Sequence, residues 1–123
     1  MLNGFVVNGK KIGGKIGYPT ANIDVKEEYK LIPKVGVYVV KSLIENKTVY
    51  GMMNIGNRPT VNGKHQTIEV HFFDFERDLY GKNLKIELIY FLRDEHKFNS
   101  LDSLILQLKE DEQTSRNYIQ DNL

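Results

Sequence analysis

Strand-like segments dominate this sequence, and a single helical segment follows them. Residues 36–44 and 48–56 are rich in β-branched and aromatic side chains, and the short polar stretch 45–47 separates them. This spacing predicts a β-hairpin whose loop has three residues or slightly more. Three further segments have strand character: 5–7, 67–73 and 84–92. A chain with this pattern is constrained to a fold in which β-structure dominates.

The segment 67–73 alternates with a period of two, which places its apolar and polar side chains on opposite faces. Ile68, Val70 and Phe72 share one face. The other face carries a hydroxyl, a carboxylate and an imidazole, which belong to Thr67, Glu69 and His71. Two ionisable groups therefore share one face of this strand.

Near the C-terminus, apolar residues recur at the spacing of an amphipathic helix: Leu101, Leu104, Ile105 and Leu108. We expect this stripe to be part of the core, with Asn99 as the N-cap residue and Asp102 three residues later. One helix cannot cover both faces of a parallel sheet, and strands and helices do not alternate along the chain. The sequence therefore excludes a doubly wound nucleotide-binding fold. It predicts a single domain over residues 1–123, a small antiparallel β-barrel with a C-terminal helix.

The composition excludes several classes of protein. The 123 residues include no cysteine, which rules out disulfides, thiolate zinc sites, iron–sulfur clusters and a cysteine nucleophile. Lys and Arg number 17 against 16 Asp and Glu, so the net charge of +1 creates no strong field for nucleic acid or anionic lipid. No apolar run approaches the ~18 residues of a membrane span. We therefore expect a cytoplasmic protein that binds neither nucleic acid nor membranes.

Residues 9–17 hold four of the ten glycines of the chain, together with three lysines. Glycine lets backbone N–H groups approach a ligand closely and lysine supplies positive charge, and this combination suits phosphate. The spacing matches neither of the common phosphate-binding glycine motifs. A solvated hairpin loop has the same composition, so both interpretations stand on this evidence.

Thr20 and Asn22 follow a proline and are spaced two residues apart. In an extended segment, side chains with this spacing point the same way, so both oxygens can reach one hard cation. Mg²⁺ accepts such neutral oxygens together with substrate phosphates and water. The alternative is that both side chains satisfy backbone groups of a turn.

Two further features allow either a functional or a plain structural interpretation. Glu69 lies in mid-strand and belongs either to a solvated outer face or to a cleft. Residues 93–98 form a charged segment that ends in an aromatic ring. This segment is either a solvated connector or a mobile wall over a planar ligand, with Phe98 as a stacking surface and Arg93 as a charge.

Short motifs occur in a fixed order along the chain: Gly9, Gly13, Ile16-Gly-Tyr-Pro-Thr-Ala-Asn22, Gly36-Val-Tyr38, Asn54-Ile-Gly56, Arg58-Pro-Thr60, Glu69-Val-His71, Asp74-Phe75, Leu79-Tyr-Gly81, Phe91-Leu-Arg93 and Phe98. In this order and at these spacings they resemble the riboflavin kinase family from about residue 5 to residue 111. The resemblance implies a six-stranded antiparallel barrel with a C-terminal helix. It also implies a Mg²⁺-dependent transfer of the γ-phosphoryl group of ATP to the ribityl 5′-hydroxyl of riboflavin, which gives FMN.

The same resemblance assigns roles on the ATP side of the site. Thr20 and Asn22 match the family's ligands for magnesium and for the nucleotide phosphates. Gly9, Gly13 and Lys15 match the loop that closes on ATP. ATP and Mg²⁺ are therefore the expected co-substrate and cofactor.

On the flavin side, the resemblance makes Glu69 the catalytic base and places Arg93, His96 and Phe98 in the loop that contacts the flavin. Bacterial members of the family often form half of a bifunctional FAD synthetase, fused to an adenylyltransferase. We therefore expect either an isolated kinase domain from such a parent chain or a stand-alone enzyme. The alternative function is a non-catalytic flavin-binding or nucleotide-binding barrel, which has no need of Glu69.

Overall fold

The computed structural model describes residues 2–7, 17–25, 33–60, 63–75 and 77–123. The predicted ATP-loop residues Gly9, Gly13 and Lys15 lie outside the described residues. Among the residues that are described, no helix is long and apolar enough to cross a bilayer.

Six strands form a closed barrel in which every pairing is antiparallel, in the order β1-β2-β5-β4-β3-β6. The elements are β1 (Leu2–Val7), β2 (Ala21–Asp24), β3 (Gly36–Ile44), β4 (Lys47–Thr60), β5 (Gly63–Phe72), β6 (Asn83–Arg93) and the helix α1 (Leu101–Asn122). The predicted fold class, a six-stranded antiparallel barrel with a C-terminal helix, is confirmed.

The barrel interior is filled by apolar side chains. Ile68, Val70 and Phe72 of β5 are buried there, as the period of two predicts, and Met53 and Ile55 of β4 pack in the same cluster. Burial of each such side chain contributes roughly 1.5–3 kcal/mol, so this cluster is the main source of stability. Because the interior is filled, a ligand site has to lie outside it.

The β3–β4 hairpin has a tighter turn than the sequence predicts. Ile44 pairs with Lys47, so only Glu45 and Asn46 remain in the loop, and the expected three-residue loop is wrong. Both turn residues have positive φ, 51° and 67°. Positive φ at both central residues is the geometry of a type I′ turn, whose twist matches that of the flanking strands.

Helix α1 begins one residue later than the sequence predicts. Ser100 is the N-cap, and its hydroxyl accepts a hydrogen bond of 3.1 Å from the backbone N–H of Ser103. The prediction of Asn99 as the cap is therefore wrong. The Ser100 cap satisfies one of the unpaired N–H groups of the first helical turn.

The apolar stripe of α1 is not part of the core, which corrects a third expectation. Leu101 is 49% exposed, and the other members of the stripe are only half-buried. The described helix residues that are buried are Asp111 and Ser115. The barrel already holds a filled core of its own, so α1 covers its outer wall. Two members of the stripe, Leu104 and Leu108, line a cavity between the helix and the wall.

Candidate active site

Strand register brings five residues into one row across the outer wall of the barrel. Asn22 of β2 lies opposite Glu69 of β5, and Glu69 lies opposite Asn54 of β4. Asn54 lies opposite Val37 of β3, which lies opposite Arg93 of β6. Directly opposed residues of antiparallel strands point to the same face. The neighbours of Glu69 point into the core, so this row faces outward.

A cavity of about 170 Å³ lies over this row and is closed on its far side by α1 and the loop before it. Five of the residues that the sequence analysis assigns to the site line this cavity: Thr20, Glu69, Arg93, His96 and Phe98. Asn22 belongs to the row itself, directly opposite Glu69. The structure thus gathers residues that are widely separated in the sequence into one site.

Oxygen-bearing side chains that could bind a metal lie together on one side of the cavity: Thr20 and Glu69 line it, and Asn22 lies opposite Glu69 on the neighbouring strand. Glu69 is half-buried in the wall, so it belongs to a cleft rather than to a fully solvated face. Thr20 precedes β2 by one residue, and Asn22 follows on the strand. Hydroxyl, amide and carboxylate oxygens are the ligands that Mg²⁺ accepts when substrate phosphates and water complete its coordination. The residues present therefore fit the magnesium ion that the family resemblance implies.

Arg93 joins the end of β6 to helix α1. Its Nε and Nη2 atoms donate to the two carboxylate oxygens of Asp111 at 2.9 and 2.7 Å, and Nη1 donates to the backbone oxygen of Asp94 at 3.0 Å. Asp111 is only 4% exposed and also accepts a hydrogen bond of 2.9 Å from Gln107. Bidentate pairing of this kind fixes orientation as well as adding energy. Arg93 therefore holds the start of the cavity loop in addition to lining the cavity.

The loop after Arg93 carries His96 and Phe98, the two other residues that the family resemblance assigns to the flavin side. The rings of His96 and Phe98 meet edge to face, with their centroids 5.0 Å apart. The guanidinium of Arg93 lies 5.9 Å from the centre of the Phe98 ring. Glu95 from the same loop approaches Gly56 so closely that an added Cβ there would come within 2.5 Å of its carboxylate oxygen. The loop thus contacts the barrel wall through Glu95, while the side chains of residues 94–97 remain exposed.

A second polar network, which the sequence analysis missed, fixes the segment that holds Thr20. The hydroxyl of Tyr18 donates to Glu112 of α1 at 2.9 Å, and Arg116 donates to the other oxygen of Glu112 at 2.8 Å. Arg116 also donates to both oxygens of Asp74. The spacing of Glu112 and Arg116 could have been identified in the sequence as a helical i,i+4 pair. Their contact with Tyr18 had no sequence signal.

This network shifts the protonation of its members. Burial, the hydrogen bond to Glu112 and the charge of Glu112 raise the pKa of Tyr18 to about 12. Burial acts to raise the pKa of Glu112, but hydrogen bonds from Arg116 and Tyr18 outweigh it and hold this pKa below its usual value. The hydrogen bond from Arg116 lowers the pKa of Asp74. Near neutral pH the network therefore contains two carboxylates, one guanidinium and one neutral phenol.

His71 supports the same segment from the barrel side. Its Nδ1 lies 2.8 Å from the backbone oxygen of Pro19, which can only accept, so Nδ1 carries the proton and donates. Its ring meets the ring of Tyr18 at 5.2 Å, edge to face. His71 shares a face with Glu69, as predicted, but its polar contact is with the backbone just before Thr20.

The family model for riboflavin kinase matches residues 1–119 of this chain. A bifunctional riboflavin kinase/FMN adenylyltransferase from Listeria monocytogenes is 46% identical over 114 residues, which are 92% of this chain and 36% of that protein. Among solved structures, a Streptococcus pneumoniae chain described as a macrolide-efflux protein aligns with a TM-score of 0.88 at 39% identity, over 94% of this chain and 38% of that one. A riboflavin kinase from Trypanosoma brucei aligns with a TM-score of 0.66 at 27% identity, over 98% of this chain and 80% of that one.

Proposed function

Because the chain belongs to the riboflavin kinase family, we propose that it transfers the γ-phosphoryl group of ATP to the ribityl 5′-hydroxyl of riboflavin. One observation carries the proposal: Glu69 lies in the wall of a cavity that Thr20 and Phe98 also line, although these residues come from three distant parts of the chain. A bond forms between the 5′-oxygen and the γ-phosphorus, and the bond from the γ-phosphorus to the β,γ-bridging oxygen breaks. The products are FMN and ADP.

Glu69 is the proposed general base. The hydroxyl proton has to leave as the new oxygen–phosphorus bond forms, and a positioned carboxylate accepts it. Strand β5 holds the Glu69 backbone rigidly, with paired strands on both sides. A base on a fixed strand supports the in-line positioning on which phosphoryl transfer mainly depends.

Thr20 and Asn22 are the proposed residues for Mg²⁺ and the nucleotide phosphates. When bound, Mg²⁺ supplies positive charge that neutralises the phosphate oxygens during transfer. The contribution of the chain is to fix these two side chains beside Glu69. Asn22 is fixed by the β2–β5 pairing, and the backbone before Thr20 is fixed by Tyr18 and His71.

The proposed flavin site is the apolar side of the same cavity. Phe98 offers an aromatic face, and Leu104 and Leu108 of α1 form an apolar wall. Such surfaces suit the planar isoalloxazine ring, since aromatic stacking and burial of apolar area both favour it. The ribityl chain then extends toward Glu69.

The deciding experiment incubates the purified chain with riboflavin, ATP and Mg²⁺ and measures FMN by chromatography with fluorescence detection. We expect FMN only when all three are present, and a loss of product when EDTA is added. If riboflavin binds and no FMN forms under any of these conditions, the non-catalytic flavin-binding barrel is the correct function instead.

A further inference from the structure

The side-chain oxygen of Asn54 is a buried hydrogen-bond acceptor with no donor among the described residues. Asn54 lies at the centre of the row on the outer wall, directly opposite Glu69, and it lines the cavity. Buried polar groups in proteins are almost always hydrogen-bonded, and each exception calls for an explanation. A ligand that fills the cavity and donates a hydrogen bond to this oxygen would explain the exception.

The position of Asn54 defines which part of a flavin it can reach. Directly opposed residues on neighbouring antiparallel strands have Cβ atoms about 4.5–5.5 Å apart. Asn54 can therefore contact groups next to the atom that Glu69 deprotonates. In riboflavin, the groups next to the reacting 5′-hydroxyl are the other hydroxyls of the ribityl chain, and each of them can donate a hydrogen bond.

We propose that the Asn54 amide oxygen accepts a hydrogen bond from a ribityl hydroxyl and so selects flavins that carry the polyol chain. This inference rests on the proposed riboflavin kinase function. In the free protein the unpaired oxygen is a cost to stability, and the substrate removes that cost when it binds. An analogue that lacks the hydroxyl binds less tightly to such a site, because the acceptor then stays unpaired.

The test compares Asn54→Leu with Asn57→Leu. The control makes the same chemical change on the same strand, at an exposed position outside the cavity lining. The affinities of both variants and the wild type are measured for riboflavin and for lumiflavin, which has the same ring system but no ribityl chain. Flavin fluorescence is the readout, with ADP and Mg²⁺ present. The KM for ATP and the melting temperature of the free protein are recorded as well.

We expect Asn54→Leu to weaken riboflavin about 3- to 10-fold, the range for one lost neutral hydrogen bond, and to leave lumiflavin and the KM for ATP unchanged. The melting temperature should stay the same or rise, because an apolar side chain removes the unpaired oxygen. A purely structural asparagine would instead lower it. Asn57→Leu should leave the affinities for both flavins at the wild-type values.

Three outcomes overturn the inference: an unchanged riboflavin affinity, an equal loss for both flavins, or a lowered melting temperature. If Asn54→Leu does not yield folded protein, the affinities of Asn54→Ala for riboflavin and for lumiflavin are compared instead. Failure of the proposed function is distinct from these outcomes, because it appears in the wild type as an absence of FMN formation.

Discussion

Glu69 lies between two amide side chains on the neighbouring strands, Asn22 and Asn54, in the wall of a cavity. We expect Glu69→Gln to slow turnover about 10²–10⁴-fold, since a positioned general base contributes about that much. Riboflavin and ATP should still bind, because glutamine keeps the size of the side chain. Single-turnover kinetics measure the chemical step directly.

The matched control for this prediction is Glu87→Gln on β6, whose carboxylate pairs with Lys41 on the surface and does not line the cavity. It should turn over at the wild-type rate. A loss of less than about threefold in Glu69→Gln would contradict the role of Glu69 as a base, given that such a role contributes about 10² or more.

Thr20 and Asn22 are tested as a pair through Thr20→Val and Asn22→Leu, which keep shape and delete the oxygen ligands. Loss of an oxygen leaves a hard cation under-coordinated. Each variant should therefore need more Mg²⁺ for half-maximal activity and should bind ATP more weakly, with a smaller effect on riboflavin. If well-folded variants keep the wild-type magnesium requirement, both side chains have only a turn-capping role.

Part of the site could be predicted from the sequence, because Thr20, Glu69 and Phe98 can be matched one by one to the motifs of the family. The supporting contacts could not be predicted. Tyr18 and its partner Glu112 are 94 residues apart, and only the docking of α1 brings them together. Asn54 occurs within a matched motif, but its unpaired oxygen depends on what surrounds it in the fold.

At the scale of elements, five of the six strands were predicted from the residue pattern, because a buried face imposes a period of two on the sequence. The four-residue strand β2 was not among them. The length of the turn after β3 was not predicted correctly. The tight turn requires Glu45 to adopt positive φ, which is uncommon for glutamate. Ion pairs from Arg77 and Lys82 hold its side chain, and both come from a later part of the chain. These contacts join the turn to a distant part of the chain, so the local sequence pattern does not show them.

Polar contacts help to hold helix α1 against the barrel, and the pKa of Tyr18 reports on one of them, its hydrogen bond to Glu112. This pKa is about 12 because of burial and of the hydrogen bond and charge of Glu112. In Glu112→Gln we expect Tyr18 to titrate at a lower pH that is still above 10, because burial remains while the charge is lost. The titration is followed by the absorbance of tyrosinate at 295 nm. The absorbance of the Tyr18→Phe counterpart of each protein is subtracted, which leaves the contribution of Tyr18.

The free energy of unfolding depends on the same titration, because the pKa of Tyr18 differs between the folded and the unfolded protein. The Tyr18 pKa is raised on folding, so its contribution to stability is present below about pH 10 and is lost as the pH rises toward 12. The wild type should therefore lose more stability over this interval than Glu112→Gln does. An identical Tyr18 titration in both proteins would mean that the phenol and the carboxylate are not paired in solution.

At the scale of the whole molecule, the interior of the closed barrel is filled, and the proposed site is the gap between its wall and α1. That gap, about 170 Å³, is smaller than the ~300–1,000 Å³ of most ligand sites. A flavin therefore requires one wall to move. The barrel wall is a continuous sheet, and α1 is tied down by Asp111 and Glu112. The segment with Tyr18 and Thr20, which also lines the cavity, is held by Glu112 and His71. The wall that remains is the loop of residues 94–98, of which 94–97 are exposed.

We therefore predict that this loop is a gate on the flavin side, which becomes ordered when FMN or riboflavin binds. Backbone amides 94–97 should exchange hydrogen more slowly with FMN than without it, while amides of the hairpin turn at 45–46, outside the cavity lining, should exchange equally in both states. Phe98→Ala should weaken flavin binding by about 1–2 kcal/mol, the scale of one aromatic partner with its buried area, and leave ATP affinity nearly unchanged. Equal protection of amides 94–97 in both states would mean that the loop is an ordinary connector and that flavin enters by another route.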